Sequence, residues 1–316
     1  MQLKKLKQNS KIIWKLLLVL IIVSCSASEV SNYDIAMRHY EEGRYRTSID
    51  YFTQALIKDP ANAELYYYRA NAKARLEDTQ EAVYDYTKAI KLNPKMKYYM
   101  ERGLMYLTML EIKRAIRDFD EAVNIDSTNA EIYFNRGYSY SVLDNYDKAL
   151  ADYSQAIILD SSNAKIFVNR GDLLARVGRQ ELAIFDFTKA ITLNPDDEIA
   201  YLNRAKEFVY MGKYKQAIRD YTKVIELNPS NIEYYFLRGE AHSFLNQYAN
   251  AAEDYTAITL LEPNNGNAYY NRGVCYAQLE NKENACNDFN QAGELGFFEA
   301  YEIIKEYCTD KGEEKK

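Results

Sequence analysis

Two rows of charged residues recur through the chain. Arg69, Arg102, Arg136, Arg170, Arg204, Arg238 and Arg272 form one; Asp85, Asp118, Asp152, Asp186, Asp220, Asp254 and Asp288 form the other. A guanidinium at the edge of an apolar face needs a carboxylate, because either charge buried alone is costly and the two pair in bidentate fashion. The chemistry expected of these rows is therefore a structural ladder of ion pairs, not ligand capture. Other reactive side chains are few. The chain has two histidines, His39 and His242, and four cysteines, Cys25, Cys275, Cys286 and Cys308. No His/Cys pair has metal-ligand spacing, so no metal site is expected. A cysteine nucleophile would need a nearby histidine, and His242 falls one repeat before Cys275. No glycine-rich phosphate loop and no serine elbow is present. The expectation is no catalytic residue, no cofactor and no enzyme activity.

The elements that carry the charged rows follow from a period of 34 residues. Units of this period run 29–62, 63–95, 96–129, 130–163, 164–197, 198–231, 232–265 and 266–299, the second being one residue short. Position 8 is always small, as in Ala70, Gly103 and Gly137. Position 20 is Ser48 or Ala, as in Ala82 and Ala115, and position 24 is Phe or Tyr from Phe52 to Phe289. Small residues let two helices approach, and the aromatics at 4, 11 and 24 fill the space around that contact. All five prolines fall at position 32, where a helix must end. Each unit reads as a helical hairpin that cannot bury its apolar face alone, so neighbours must stack. After the last unit, residues 300–316 read as a capping helix and a charged tail. Tyr301, Ile304, Tyr307 and Cys308 recur on one face of that helix.

The chain has 316 residues, 47% apolar and 27% charged, enough to bury a core. Its 40 basic and 46 acidic residues give a net charge of −6. Five lysines and no acids lie in residues 1–24, so the remainder is more acidic still. An acidic body argues against nucleic acid as a partner, since phosphates need a basic face.

The pattern resembles the tetratricopeptide repeat (TPR), with its large aromatic at 4, small residue at 8, Tyr at 11, Ala at 20, aromatic at 24 and Pro at 32. It departs at position 7, which is Arg in units two to eight where the family has Leu. The resemblance covers 31–299 and implies an all-α, right-handed α-solenoid of eight hairpins with a C-terminal cap. It also implies a concave groove lined by positions 2, 5, 9, 12 and 13 of each first helix, opposite the core face. In units three and four these are Met100, Leu104, Leu107, Phe134, Tyr138 and Val142. Beyond them lie Asp172, Arg176, Lys206 and Tyr210, and on the other side Asn71 and Arg75. An apolar patch with a polar rim marks a partner site. The expected partner is a protein or peptide, and no small-molecule cofactor is implied. The family's clamp for a C-terminal carboxylate needs Lys at position 5, and no unit has one. On the same implied fold, Cys286 on the last second helix and Cys308 on the cap are a candidate disulfide in an oxidising compartment. The alternative is that Cys275, Cys286 and Cys308 are buried small apolar residues.

The opening of the chain reads as an address. Lys4 to Lys15 is basic, Leu16 to Val23 is unbroken apolar, and Ser24 and Cys25 follow. Eight residues make about 12 Å of helix against a bilayer core of about 30 Å, too little to span it. Ile22-Val23-Ser24-Cys25 resembles the bacterial lipoprotein signal. That resemblance implies a signal peptide over 1–24, lipid on Cys25, a linker over 25–30 and a place in the cell envelope, with Ala27 pointing to the outer membrane. The whole then reads as a non-enzymatic TPR scaffold or adaptor lipoprotein that binds a partner in its groove. The alternative is a glycan- or nutrient-binding outer-membrane lipoprotein, although such proteins carry a large insertion and these units follow one another directly.

Overall fold

The computed structural model of the protein describes residues 31–309. The signal and lipid-bearing Cys25 expected from the sequence, and the tail from 310 onward, lie outside them. Among the described residues the fold is all-α, with helices in consecutive hairpins and no strand.

Two compact units divide the chain, with the boundary between Ser127 and Thr128. The first holds three hairpins: α1 (Asn32–Glu41) with α2 (Tyr45–Lys58), α3 (Ala63–Ala74) with α4 (Thr79–Leu92), and α5 (Met96–Thr108) with α6 (Ile112–Ile125). The second holds five: α7 (Ala130–Val142) with α8 (Tyr146–Leu159), α9 (Ala164–Arg176) with α10 (Gln180–Leu193), α11 (Glu198–Tyr210) with α12 (Tyr214–Leu227), α13 (Ile232–Phe244) with α14 (Tyr248–Leu261), and α15 (Gly266–Gln278) with α16 (Lys282–Glu294). A short helix α17 (Glu299–Ile303) and a π-helical turn (Ile304–Cys308) close it.

Local chemistry sets where each helix begins and turns. Asn62 accepts hydrogen bonds from the amides of Glu64 and Leu65 and so caps α3. Asn129, Asn163, Asp197, Asn231 and Asn265 cap the first helices of the later repeats in the same way. The short second repeat lacks this residue, and Lys95 begins α5 with no side-chain cap. Between the two helices of every repeat one residue turns left-handed. It is Gly43, Gly178 or Gly212 in three repeats, but Glu77, Leu110, Asp144, Asn246 or Glu280 in five. Leu110 holds φ 58° with its side chain in solvent, a conformation costly to any residue with a Cβ.

Inside each hairpin the aromatic at position 24 is the wedge. Phe52, Tyr86, Phe119, Tyr153, Phe187, Tyr221, Tyr255 and Phe289 are all almost fully buried. A Cβ added at Gly103 would stand 2.7 Å from Cε1 of Phe119, so the small residue at position 8 is the seat of the ring. Burying such a ring is worth about 2–3 kcal/mol, and the periodic recurrence repeats that gain in each hairpin.

The cap departs from the expected helix. Ile303, Ile304, Tyr307 and Cys308 pack into the cluster around Phe289 and Ala292, whereas Tyr301 is exposed, its ring edge over Gly293 and its hydroxyl donating to the Gly293 carbonyl at 3.0 Å. The helix then widens into a π-helical turn over Ile304–Cys308, where Cys308 meets Cys286.

Candidate interaction groove

The repeated charges meet pair by pair. Arg69 Nε and Nη2 donate to Asp85 at 2.8 and 2.7 Å. The same fork joins Arg102 to Asp118, Arg136 to Asp152, Arg170 to Asp186, Arg204 to Asp220, Arg238 to Asp254 and Arg272 to Asp288. All seven aspartates are buried. Burial pushes the Asp254 carboxyl up, and Arg238 pulls it back only in part. The third guanidinium nitrogen reaches the preceding repeat. Arg69 donates to Thr53, Arg102 to Thr87, Arg170 to Ser154, Arg204 to Thr188, Arg238 to Thr222 and Arg272 to Thr256, at 2.9–3.2 Å. Each of these arginines therefore ties three helices. This hydroxyl stands at position 25 of the repeat, a recurrence legible in the sequence and missed there. With the carboxylate fork and a cross-repeat hydroxyl holding all three nitrogens, these arginines are fixed in structural contacts.

The groove residues fare differently. Position 5 does not face the open side. Met100 is 7% exposed, and Phe134 is half-buried with its ring 5.9 Å from that of Tyr153. Phe236 and Tyr270 sit the same way against Tyr255 and Phe289. The ring at position 24 of the second helix leans across this position, which an angle taken around the first helix alone ignores. Leu104 and Leu107 are half-buried, whereas Tyr138 and Val142 are exposed. Met100, Leu104 and Leu107 belong to the first compact unit and Phe134, Tyr138 and Val142 to the second.

The polar candidates are largely engaged. Asn71 accepts from the Tyr86 hydroxyl at 2.6 Å. It lines a cavity of about 300 Å³ with Arg75, Tyr40, Glu101 and Met105. Asp172 and Arg176 pair with each other at 3.0 Å along α9. Lys206 stands 3.8 Å from Glu233, and Tyr210 is 76% exposed. Cys286 and Cys308 are joined by a disulfide that ties α16 to the cap, while Cys275 is a buried free thiol. Burial pushes that thiol up to about 11, so it stays protonated at neutral pH.

Two acids on first helices have opposite surroundings. Glu64, on α3, takes Lys95 at 2.6 Å and Lys97 at 2.9 Å. The Lys97 ammonium also sits 4.3, 5.4 and 5.6 Å from the rings of Tyr67, Tyr98 and Tyr68. Burial pushes the Glu64 carboxyl up, but the two ammonium groups outweigh it and hold it at about 2. Glu240, on α13, lines a cavity of about 480 Å³ with Ser243, Phe244, Tyr248, Tyr255, Asn271, Val274, Cys275 and Gln278. Burial alone pushes its carboxyl up, and no cation offsets it. Glu240, Phe244, Val274 and Gln278 occupy positions 9 and 13 of the last two repeats. The positional rule applied to units two to six would have reached them had it been carried to the end of the array.

Comparison with known proteins decides the family. Residues 33–97, 130–163, 164–197, 205–243 and 241–294 match family descriptions reading "TPR repeat" or "Tetratricopeptide repeat". The chain belongs to the tetratricopeptide repeat family.

Members of this TPR family serve as protein-interaction scaffolds. A 94-residue stretch is 30% identical to "DnaJ homolog subfamily C member 7" of Mus musculus, covering 28% of this chain and 19% of that protein. Another of 94 residues is 31% identical to "Stress-induced-phosphoprotein 1" of Caenorhabditis elegans, 29% of each. The chain thus matches well under a third of these relatives' lengths. Among solved structures, the TPR protein YrrB, described as having "an unusual peptide-binding site", is 25% identical with a TM-score of 0.53, over 59% of this chain and 97% of that one. The C-terminal part of a TPR protein from Cytophaga hutchinsonii is 20% identical with a TM-score of 0.67, over 76% of this chain and 98% of that one, a likeness of fold. Among the described residues no helix is long and apolar enough to cross a membrane, and no group of three His, Cys, Asp or Glu could hold a metal ion.

Proposed function

We propose that this TPR protein is a non-enzymatic scaffold whose first-helix face in the second compact unit binds a protein or peptide partner, and that lipid on Cys25 holds it at a bacterial envelope membrane. The observation that carries the binding reading is three exposed aromatics on first helices, Tyr138 on α7, Tyr210 on α11 and Phe244 on α13, the last lining a cavity. Exposed apolar side chains with polar neighbours are what an interface core and rim require. YrrB, similar in fold and sequence, is described as having a peptide-binding site. The repeats follow one another through short links with no inserted domain among the described residues, which supports a scaffold over the glycan-capture alternative.

A photo-cross-linking residue placed at Tyr210 or Phe244 tests the groove. A partner polypeptide should be captured from these positions and not from Leu182, an exposed residue on the second helix α10. Equal capture from Leu182 would move the site off the first-helix face. Exclusive stabilisation by a sugar in a melting screen would replace the scaffold reading with glycan capture. For the anchor, Cys25→Ala should abolish acyl labelling and release the protein from membrane fractions; unchanged labelling would remove lipidation.

A further inference from the structure

The cavity at Glu240 offers more than apolar contact. Its lining combines the Phe244, Tyr248 and Tyr255 rings, Val274 and the neutral Cys275 thiol with one carboxylate. Glu240 is itself solvent-exposed, and an unpaired carboxylate lining an apolar cavity gains most from an ion pair when a ligand covers it. Among the described residues no cation acts on this carboxylate. Arg238 is spent on Asp254 and Thr222, Arg272 on Asp288, Thr256 and Thr259, and Lys206 lies against Glu233. The same array fills the equivalent need of Glu64 from within, with two lysines. Beside Glu240, Phe244 is 61% exposed and stacked on Tyr214 at 4.7 Å, giving a flat aromatic face of the kind that attracts a cation.

We infer that this cavity is a specificity subsite for a lysine or arginine of the bound peptide, its methylene stem lying along Phe244 and Tyr248 and its charged head pairing with Glu240. The stem and head of such a side chain match the two halves of the cavity, since long basic residues bury their stems on apolar surface. The acidic balance of the chain favours the same partner at long range. Asn271 is held by Asn267, and Ser243 donates to the Gly239 carbonyl, so the remaining polar groups add little competing demand. This inference rests on the peptide-binding reading above and names its partner's chemistry.

A library of random twelve-residue peptides displayed on phage, selected against the full chain, tests it. Selected peptides should share a lysine or arginine flanked by apolar residues. Their affinity should fall about tenfold with Glu240→Gln, fall again with Phe244→Ala, and stay unchanged with Lys223→Ala, a second-helix control. Selection against Glu240→Lys should yield acidic residues in place of basic ones. Peptides without a basic residue, or affinities within twofold of wild type in Glu240→Gln, overturn the subsite and leave the peptide groove standing. No selected peptide at all overturns both.

Discussion

Glu64 in the first compact unit and Glu240 in the second are both glutamates on the first helix of a repeat, and the chain treats them in opposite ways. Glu64 is closed off by Lys95, Lys97 and three tyrosine rings. Glu240 is left beside an open cavity with no countercharge. The Arg–Asp ladder belongs with Glu64: its charges are paired from within the chain. The contrast separates charges that hold repeats together from a charge that is free to meet a partner. A side chain already holding several internal bonds must break them to bind anything else.

The satisfied side of this contrast is best tested at a buried pair in the middle of the ladder. Arg204→Leu leaves Asp220 buried without its fork and strips the Thr188 contact to the preceding repeat. The expected loss in urea unfolding is about 3–5 kcal/mol. Arg204→Leu combined with Asp220→Leu should recover most of it, because removing both charges leaves nothing unpaired. A loss under about 1 kcal/mol from the single variant would make the ladder decorative and return the arginines to the list of ligand donors.

The array's end shows the same need met covalently. Among the described residues α16 is followed by the cap, and the disulfide Cys286–Cys308 ties the cap to it. A bridge with a sequence separation of 22 should contribute about 3 kcal/mol by limiting the unfolded chain. Cys286→Ser should therefore lower the melting temperature, and a reducing agent should lower wild type to the same value without affecting the variant.

Glu64→Gln is expected to cost less, about 1 kcal/mol, because the cluster is partly solvated. The pH dependence has a definite sign. The Glu64 carboxyl is held at about 2 against an ordinary 4.5, so its contribution is present above pH 4.5 and is lost as pH falls toward 2. Wild type and variant should converge in stability over that window. Parallel curves would mean that Lys95 and Lys97 do not stabilise the charged form.

The repeat frame and the ladder were legible in the sequence because both depend on period alone. The residues at 8, 20 and 24 and the pairing of Arg204 with Asp220 are fixed by which positions face inward in a hairpin. What escaped depends on a second element. Met100 looks open when α5 is considered by itself and is buried in the hairpin. The Thr188 hydroxyl matters only once the neighbouring repeat sets its height against Arg204. Tyr301 lies off the covered face, which Ala300, Ile303, Ile304 and Tyr307 form instead. Glu240 was visible as an acid at position 9, but its lack of a countercharge is a property of where Arg238, Arg272 and Lys206 spend their bonds.

That property gives the smallest effect and the one that bears most on the comparison. Burial raises the Glu240 carboxyl above its ordinary value, so the unfolded chain releases its proton at lower pH than the folded one. Stability from this group therefore falls as pH rises past the unfolded value and stays reduced above the raised one. Glu240→Gln removes the penalty. It should raise the melting temperature slightly at pH 7 and leave it unchanged well below the ordinary glutamate range, the reverse of Glu64→Gln at neutral pH. A selected basic peptide should invert the order, stabilising wild type more than the variant, since only wild type gains the ion pair on binding. A drop in melting temperature for Glu240→Gln at pH 7 without peptide would mean that the folded chain already pairs this carboxylate, and the two glutamates would no longer differ in kind.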